Sequence, residues 1–149
     1  MGRLLNASVF GMGYIGLTTA IFMAEHIHVT CVEINPEKLD MLSEGVLPIY
    51  EPGLNGAFKK VSDNLKFTDC YWTAIEETDI SFITVGTPSM PDGSQDLTSI
   101  NSVLTQIGKS LRNKKRSHTI VIKSTLLPGT TENHVIPLLE SSLGKSHGD

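Results

Sequence analysis

The chain has 149 residues, with 12 Lys and Arg against 16 Asp and Glu, for a formal net charge of −4. Forty per cent of it is apolar and 19% is charged, the balance of an ordinary globular domain long enough for one substantial core. The acidic balance argues against a nucleic-acid or membrane-surface partner, which would need a basic patch; no apolar run is long enough to span a bilayer, and the amino terminus shows no basic-then-apolar leader.

The first expected element is a strand over residues 4–10, apolar at Leu4, Leu5, Ala7, Val9 and Phe10. It runs through ASVFGMGYIGLTT into a helix over 14–26, and this stretch holds Gly11, Gly13 and Gly16 in the spacing G-x-G-x-x-G. A glycine-rich loop alone is weak evidence, but here it sits where a strand must turn sharply into a helix. Gly11 allows the tight turn, Gly13 lets a pyrophosphate approach the backbone, and Gly16 lets the helix pack close to the strand. The free N–H groups of the new helix then face the phosphates, aided by the helix dipole. A strand over 28–33 (HVTCVE) ends in Glu33, about twenty positions beyond Gly13, where such loops carry an acid for a ribose.

A short helix over 36–44 follows, with Asn35 as N-cap, Pro36 in its first turn and Gly45 as its stop. Residues 46–53 (VLPIYEPG) read as an irregular proline-bearing segment, and 54–62 as a helix. Residues 65–68 read as a short strand, 70–77 as a short helix, and 80–85 (ISFITV) as a fully buried strand. A long polar loop over 86–96 leads to a helix over 97–111 with Ile100, Val103, Leu104, Ile107 and Leu111 on one face. The basic run 112–116 (RNKKR) reads as a solvated helix end. Residues 119–123 (TIVIK) form another buried strand and 131–142 another helix, before a polar tail over 144–149.

Strands alternating with helices imply right-handed crossovers and a parallel sheet covered on both faces. The expected fold is α/β: a single Rossmann-type domain over 1–149, doubly wound, strand order 3-2-1-4-5. In such a sheet ligands bind beyond the carboxyl ends of the strands. Those ends carry residues 11–16, Glu33, Val85-Gly86-Thr87-Pro88 and Lys123-Ser124-Thr125. Glu33 should hydrogen-bond the ribose 2′-OH and repel a 2′-phosphate, which favours NAD over NADP. Lys38 is the nearest cation and reaches either the adenosine side of the cofactor or only solvent. Thr87 and Thr125 line the nicotinamide half or serve as cap and turn residues.

Two cysteines fit a reducing compartment, and the cytoplasm is the expected location. Cys31 reads as a core hydrophobe inside a strand, and Cys70 as inert. His26 and His28 lie close together, but no acid or cysteine cluster completes a metal set, so no metal site is expected.

Four segments, GMGYIGL, VEINPEKLDMLSEGVLPIYEPGL, FITVGTPS and IVIKSTLLPGTTE, occur in that order. Together they resemble the amino-terminal domain of the nucleotide-sugar 6-dehydrogenases, the UDP-glucose/GDP-mannose dehydrogenase group. The resemblance covers essentially the whole chain. PIYEPGL and KSTLLPGT are far more specific than the glycine motif. HTIVIKSTLLPGTTENHVIPLLE is most similar to the GDP-mannose branch, but UDP-glucose and UDP-N-acetylmannosamine relatives carry similar segments, so the sugar stays open.

The resemblance implies a four-electron oxidation consuming two NAD. A C6 alcohol becomes an aldehyde, a cysteine captures it as a thiohemiacetal, a second hydride leaves a thioester, and water releases the uronic acid. It places the backbone N–H groups of Tyr14 and Ile15 on the pyrophosphate, and Glu33 and Lys38 on the adenosine ribose. Thr87 contacts the cofactor, Thr125 lies near the nicotinamide and the reacting water in a supporting catalytic role, and Glu51 lies near the cofactor cleft. Glu33 stands where Asp is more usual, a change of reach more than of role.

The family's next landmarks are not in this chain. They are an N-P-E-F-like segment with a catalytic acid, a helical middle domain with its lysine and asparagine, the nucleophilic cysteine and a sugar-nucleotide domain. Neither Cys31 nor Cys70 stands in the nucleophile's motif. The expectation is a piece of a longer homo-oligomeric enzyme with a nucleotide-sugar substrate, able to bind NAD but not to catalyse alone. Competing readings are a non-catalytic NAD-binding regulatory module, a dehydrogenase of the 3-hydroxyacid type and, more distantly, a methyltransferase.

Overall fold

A computed structural model describes residues 5–146. Leu4, expected in the first strand, and tail residues 147–149 lie outside the described residues. Five parallel strands, β1 (Ala7–Phe10), β2 (Val29–Val32), β3 (Leu65–Thr68), β4 (Ile80–Ile83) and β5 (Thr119–Ile122), form one sheet in the order β3-β2-β1-β4-β5. This is the expected doubly wound order. Among the described residues six α-helices connect or follow the strands: α1 (Tyr14–Ala24), α2 (Pro36–Ser43), α3 (Leu54–Val61), α4 (Tyr71–Glu77), α5 (Thr98–Leu111) and α6 (Ile136–Leu143).

The two-residue period of the strands splits the core. Val9 and Cys31 join Leu17, Ile21 and Phe58 of α1 and α3 on one face. Their chain neighbours Phe10 and Val32 join Ile75, Ile100, Leu104 and Ile107 of α4 and α5 on the other. β1 and β2 are buried along their whole length, as strands covered on both faces must be.

The boundaries and some environments differ from expectation. Each strand spans four residues; β3 has its expected bounds, and the other four are shorter than expected. β4 is not fully buried, since Ile80 and Phe82 stay half-buried. β5, expected as a buried strand at the end of the 3-2-1-4-5 order, does lie at the edge, paired among the described residues with β4 alone, but it is less buried than expected: Thr119 is exposed and its other three residues are half-buried. The helix expected over 131–142 begins as a π-helical turn (Thr131–Val135) and becomes α-helical only at Ile136. Pro137, with no N–H to donate back to Asn133, follows that change. Asn35 caps α2 as expected, its side chain accepting from the Lys38 N–H, and Gly45, at φ +81°, ends the segment.

The basic run 112–116 is a correction. It was expected to be a solvated helix end, but Lys114 is buried. Its Nζ donates to the Ile75 and Thr78 carbonyls and lies 2.9 Å from His118 Nδ1. Arg116 Nη1 pairs with Asp79 at 2.9 Å, and its Nη2 donates to the Glu76 carbonyl. These carbonyls belong to the last turn of α4 and the residue beyond it, where a helix leaves acceptors unsatisfied and carries a partial negative charge. The cations meet the end of a different helix.

Beside them a buried file of hydroxyls crosses the amino ends of the strands. His118 Nε2 is 2.7 Å from Ser81 Oγ, Ser81 is 2.7 Å from Ser8 Oγ, Ser8 is 3.1 Å from Thr78 Oγ1, and Thr78 donates to the Ala74 carbonyl at 2.7 Å. An ammonium group can only donate, so Lys114 leaves Nδ1 bare and the proton on Nε2. Every hydroxyl in the file can then donate onward.

Candidate functional site

The glycine loop follows β1 directly. Gly11, at φ +97°, donates its N–H to the Val32 carbonyl at 2.9 Å. A Cβ on Gly16 would stand 1.8 Å from the Gly11 carbonyl oxygen and 2.8 Å from Thr84 Oγ1, so α1 starts in direct contact with the end of β1. A Cβ on Gly13 would meet nothing within 4 Å. Gly13 is the N-cap of α1 and offers no side chain to it. The first helical bond runs from the Leu17 N–H to the Gly13 carbonyl at 2.9 Å, which leaves the N–H groups of Tyr14, Ile15 and Gly16 without helical acceptors. The side chains of Tyr14 and Ile15 are about half exposed.

Glu33 follows β2 and is buried. Its Oε2 accepts the Met12 N–H at 3.1 Å and its Oε1 accepts the Asn35 N–H at 2.9 Å. The carboxylate therefore ties the glycine loop to the end of β2. Lys38 sits half-buried in the first turn of α2, five residues further along the chain. Between the loop and α5 lies a cavity of about 300 Å³ whose lining includes Gly11, Glu33, Ile34, Tyr71, Val85 and Ser102. Burial, and secondarily the Glu33 charge, push the Tyr71 phenol above its ordinary pKa, so it stays a neutral donor.

Thr87 and Thr125 also come together. Thr87 Oγ1 donates to the Thr125 carbonyl at 2.8 Å, joining the segments that follow β4 and β5. Ser124 reinforces the join, its hydroxyl donating to the Val85 carbonyl at 2.6 Å. Glu51 is not part of the cavity; it lines a separate hollow formed by the 45–53 segment. Of the cysteines, Cys31 is fully buried and burial raises its thiol pKa strongly. Cys70 departs from the inert reading: it is exposed and accepts a hydrogen bond from the Thr73 hydroxyl, which lowers its pKa. Among the described residues no cluster of His, Cys, Asp and Glu can hold a metal ion, and no helix is long and apolar enough to cross a membrane.

Sequence reasoning missed three contributors. Tyr71 follows β3, and the carboxyl end of β3 belongs to the same row of strand ends as the other four. Thr84 leaves β4 with its hydroxyl within 2.9 Å of both the Phe10 and Gly11 carbonyls, under the glycine loop. Gln95 reaches both threonines from the far side of the 86–96 stretch.

A family profile described as the NAD-binding domain of the UDP-glucose/GDP-mannose dehydrogenase family matches residues 5–148. A protein named GDP-mannose 6-dehydrogenase from Pseudomonas syringae pv. tomato is 43% identical over 147 residues, which cover 97% of this chain and 34% of the relative. A ternary complex of GDP-mannose dehydrogenase from Pseudomonas aeruginosa superposes with a TM-score of 0.90 at 39% identity, covering 94% of this chain and 33% of that one. A UDP-glucose dehydrogenase from Pyrobaculum islandicum gives a TM-score of 0.90 at 37% identity, with 97% and 34% covered. The chain thus spans about a third of the length of these relatives. It belongs to the UDP-glucose/GDP-mannose dehydrogenase family, of which it is the NAD-binding domain.

Proposed function

We propose that this domain holds NAD for a nucleotide-sugar 6-dehydrogenase that oxidises the C6 alcohol of a UDP- or GDP-hexose to the uronic acid. The observation that carries the reading is the open space over Gly13 at the uncapped start of α1, with Glu33 beside it. The space beside Gly13 leaves the backbone open to a diphosphate, which would face the N–H groups of Tyr14, Ile15 and Gly16. Each Glu33 oxygen keeps a second lone pair for a ribose hydroxyl, and the neighbouring cavity suits an adenine ring. Lys38, on the next helix, adds positive charge on the adenosine side. Thr87 and Thr125 border the nicotinamide end, with Thr125 in a supporting catalytic role near the reacting carbon.

NAD supplies the hydride acceptor when bound, and the chain's own task is to fix the geometry of the dinucleotide and keep its phosphates paired. Neither cysteine of this chain is placed to be the nucleophile of such a reaction: Cys31 is sealed in the sheet, and Cys70 stands outside the cavity. The nucleophile and the substrate-binding parts would then belong to the rest of the full enzyme, for which the family resemblance implies a homo-oligomer and the two cysteines fit the cytoplasm. Calorimetric titration of the 149-residue chain with NAD and NADP tests the cofactor reading. NAD should bind and NADP should bind far more weakly, because its 2′-phosphate meets Glu33. Equal affinities would remove the ribose role from that residue. Incubation of the chain with NAD and each sugar nucleotide should give no NADH, and steady NADH formation would overturn the division of labour.

A further inference from the structure

The polar stretch between β4 and α5 is folded. Ser89 and Gln95 form an antiparallel bridge, the Asp96 N–H donates to the Pro88 carbonyl at 2.8 Å, and the Met90 N–H donates to the Ser94 carbonyl at 2.7 Å. Asp92 closes the tip by accepting both the N–H and the hydroxyl of Ser94. This small hairpin brings Gln95 back to its own base. There Gln95 Nε2 donates to Thr87 Oγ1 at 3.1 Å and to the Thr125 carbonyl at 2.8 Å, while Thr87 donates to the same carbonyl. The two ends of the hairpin and the segment after β5 close a triangle at the ends of β4 and β5.

The amide is held in one orientation. Turning it over would set its oxygen against the Thr125 carbonyl and remove both donations. In the present orientation Oε1 is buried with no partner, an arrangement that brings no stability of its own. The nitrogen end is what the fold uses.

We propose that Gln95 is a positioning residue for the nicotinamide half of the cofactor. It acts through Thr87 and Thr125, which it locks together across the two strand ends. This rests on the reading above that the nicotinamide lies beside those threonines. The adenosine and diphosphate contacts, on β1, β2 and α1, are made without Gln95. Its loss is therefore felt by one half of the dinucleotide only, which a general loss of stability would not reproduce.

The test is calorimetric titration of the 149-residue chain with NAD and with ADP-ribose, which is NAD without the nicotinamide ring. Two variants are compared with the parent: Gln95→Ala, and Gln95→Met, which keeps the length and removes the donors. Both should weaken NAD about tenfold while ADP-ribose stays within about twofold, the scale of losing a pair of hydrogen bonds. Parallel loss of both ligands, or unchanged NAD affinity in both variants, overturns the positioning role and leaves the placement of the nicotinamide standing. A parent chain that binds NAD and ADP-ribose equally well overturns the placement and the positioning role together.

Discussion

Glu33 acts on the loop before any ligand arrives. Both carboxylate oxygens accept a backbone N–H, one from Met12 inside the glycine loop, so the side chain shapes the cradle it also completes. Replacing it removes the proposed ribose partner and loosens the loop at once. Glu33→Ala should weaken NAD by about 1–3 kcal/mol, the range for stranding buried polar partners, as read from the dissociation constant. The glycines divide into two kinds. Gly13 has an extended backbone and open space beside it, so Gly13→Val should stay folded, with only the modest loss in melting temperature expected of valine at an N-cap, yet show no heat of NAD binding. Gly16 has no such room, and Gly16→Ala should lower stability by about 1–3 kcal/mol in denaturant titration, the typical result of overfilling a packed site. The glycine spacing and the acid were legible because their offsets are fixed along the chain. Gln95 was not, because its partners lie 8 and 30 residues away and nothing local marks it.

Among the elements, the end of α4 shows how a charge run can mislead. Residues 112–116 look like solvent-facing charge when read along α5. In the fold, Lys114 and Arg116 reach carbonyls 36–40 residues earlier in the chain. Composition cannot show which helix end a cation will meet. Lys114→Met, which keeps the apolar stem, should destabilise the chain by about 2–3 kcal/mol in urea unfolding, the range for charge-assisted hydrogen bonds. α5 was readable from its apolar spacing, and the central strands from short apolar runs that alternate with helical stretches. The 86–96 hairpin was not, since its pairing uses polar residues without alternation. β5 stands at the edge the expected order gave it, and only its burial was overread: TIVI is as apolar as a central strand, yet it has a strand on one side only among the described residues.

For the molecule as a whole, alternation and handedness led to a doubly wound parallel sheet, the order 3-2-1-4-5 is the one that goes with the dinucleotide fingerprint, and the row of strand ends then pointed to the cleft. The opposite rim was invisible from sequence. There His118 joins β1, β4 and the end of α4 through Ser81, Ser8 and Thr78. Burial first, and then the Lys114 charge, push its pKa down to about 4. The unfolded chain binds that proton near pH 6.5, so between these values acid favours unfolding. This contribution to stability is complete above pH 6.5 and fades as the pH falls through about 4, with Arg116 opposing protonation and Asp79 favouring it. Thermal midpoints should drop across that interval, and His118→Gln should flatten the drop; an equally steep slope in the variant would assign it to other groups. The file of hydroxyls and the glycine cradle occupy opposite rims of one sheet, about 10 Å apart even along these short strands. Alterations at the two rims should therefore combine independently. Acid tolerance and coenzyme preference become separately adjustable properties, so a variant hardened against low pH at the His118 rim would keep its choice between NAD and NADP.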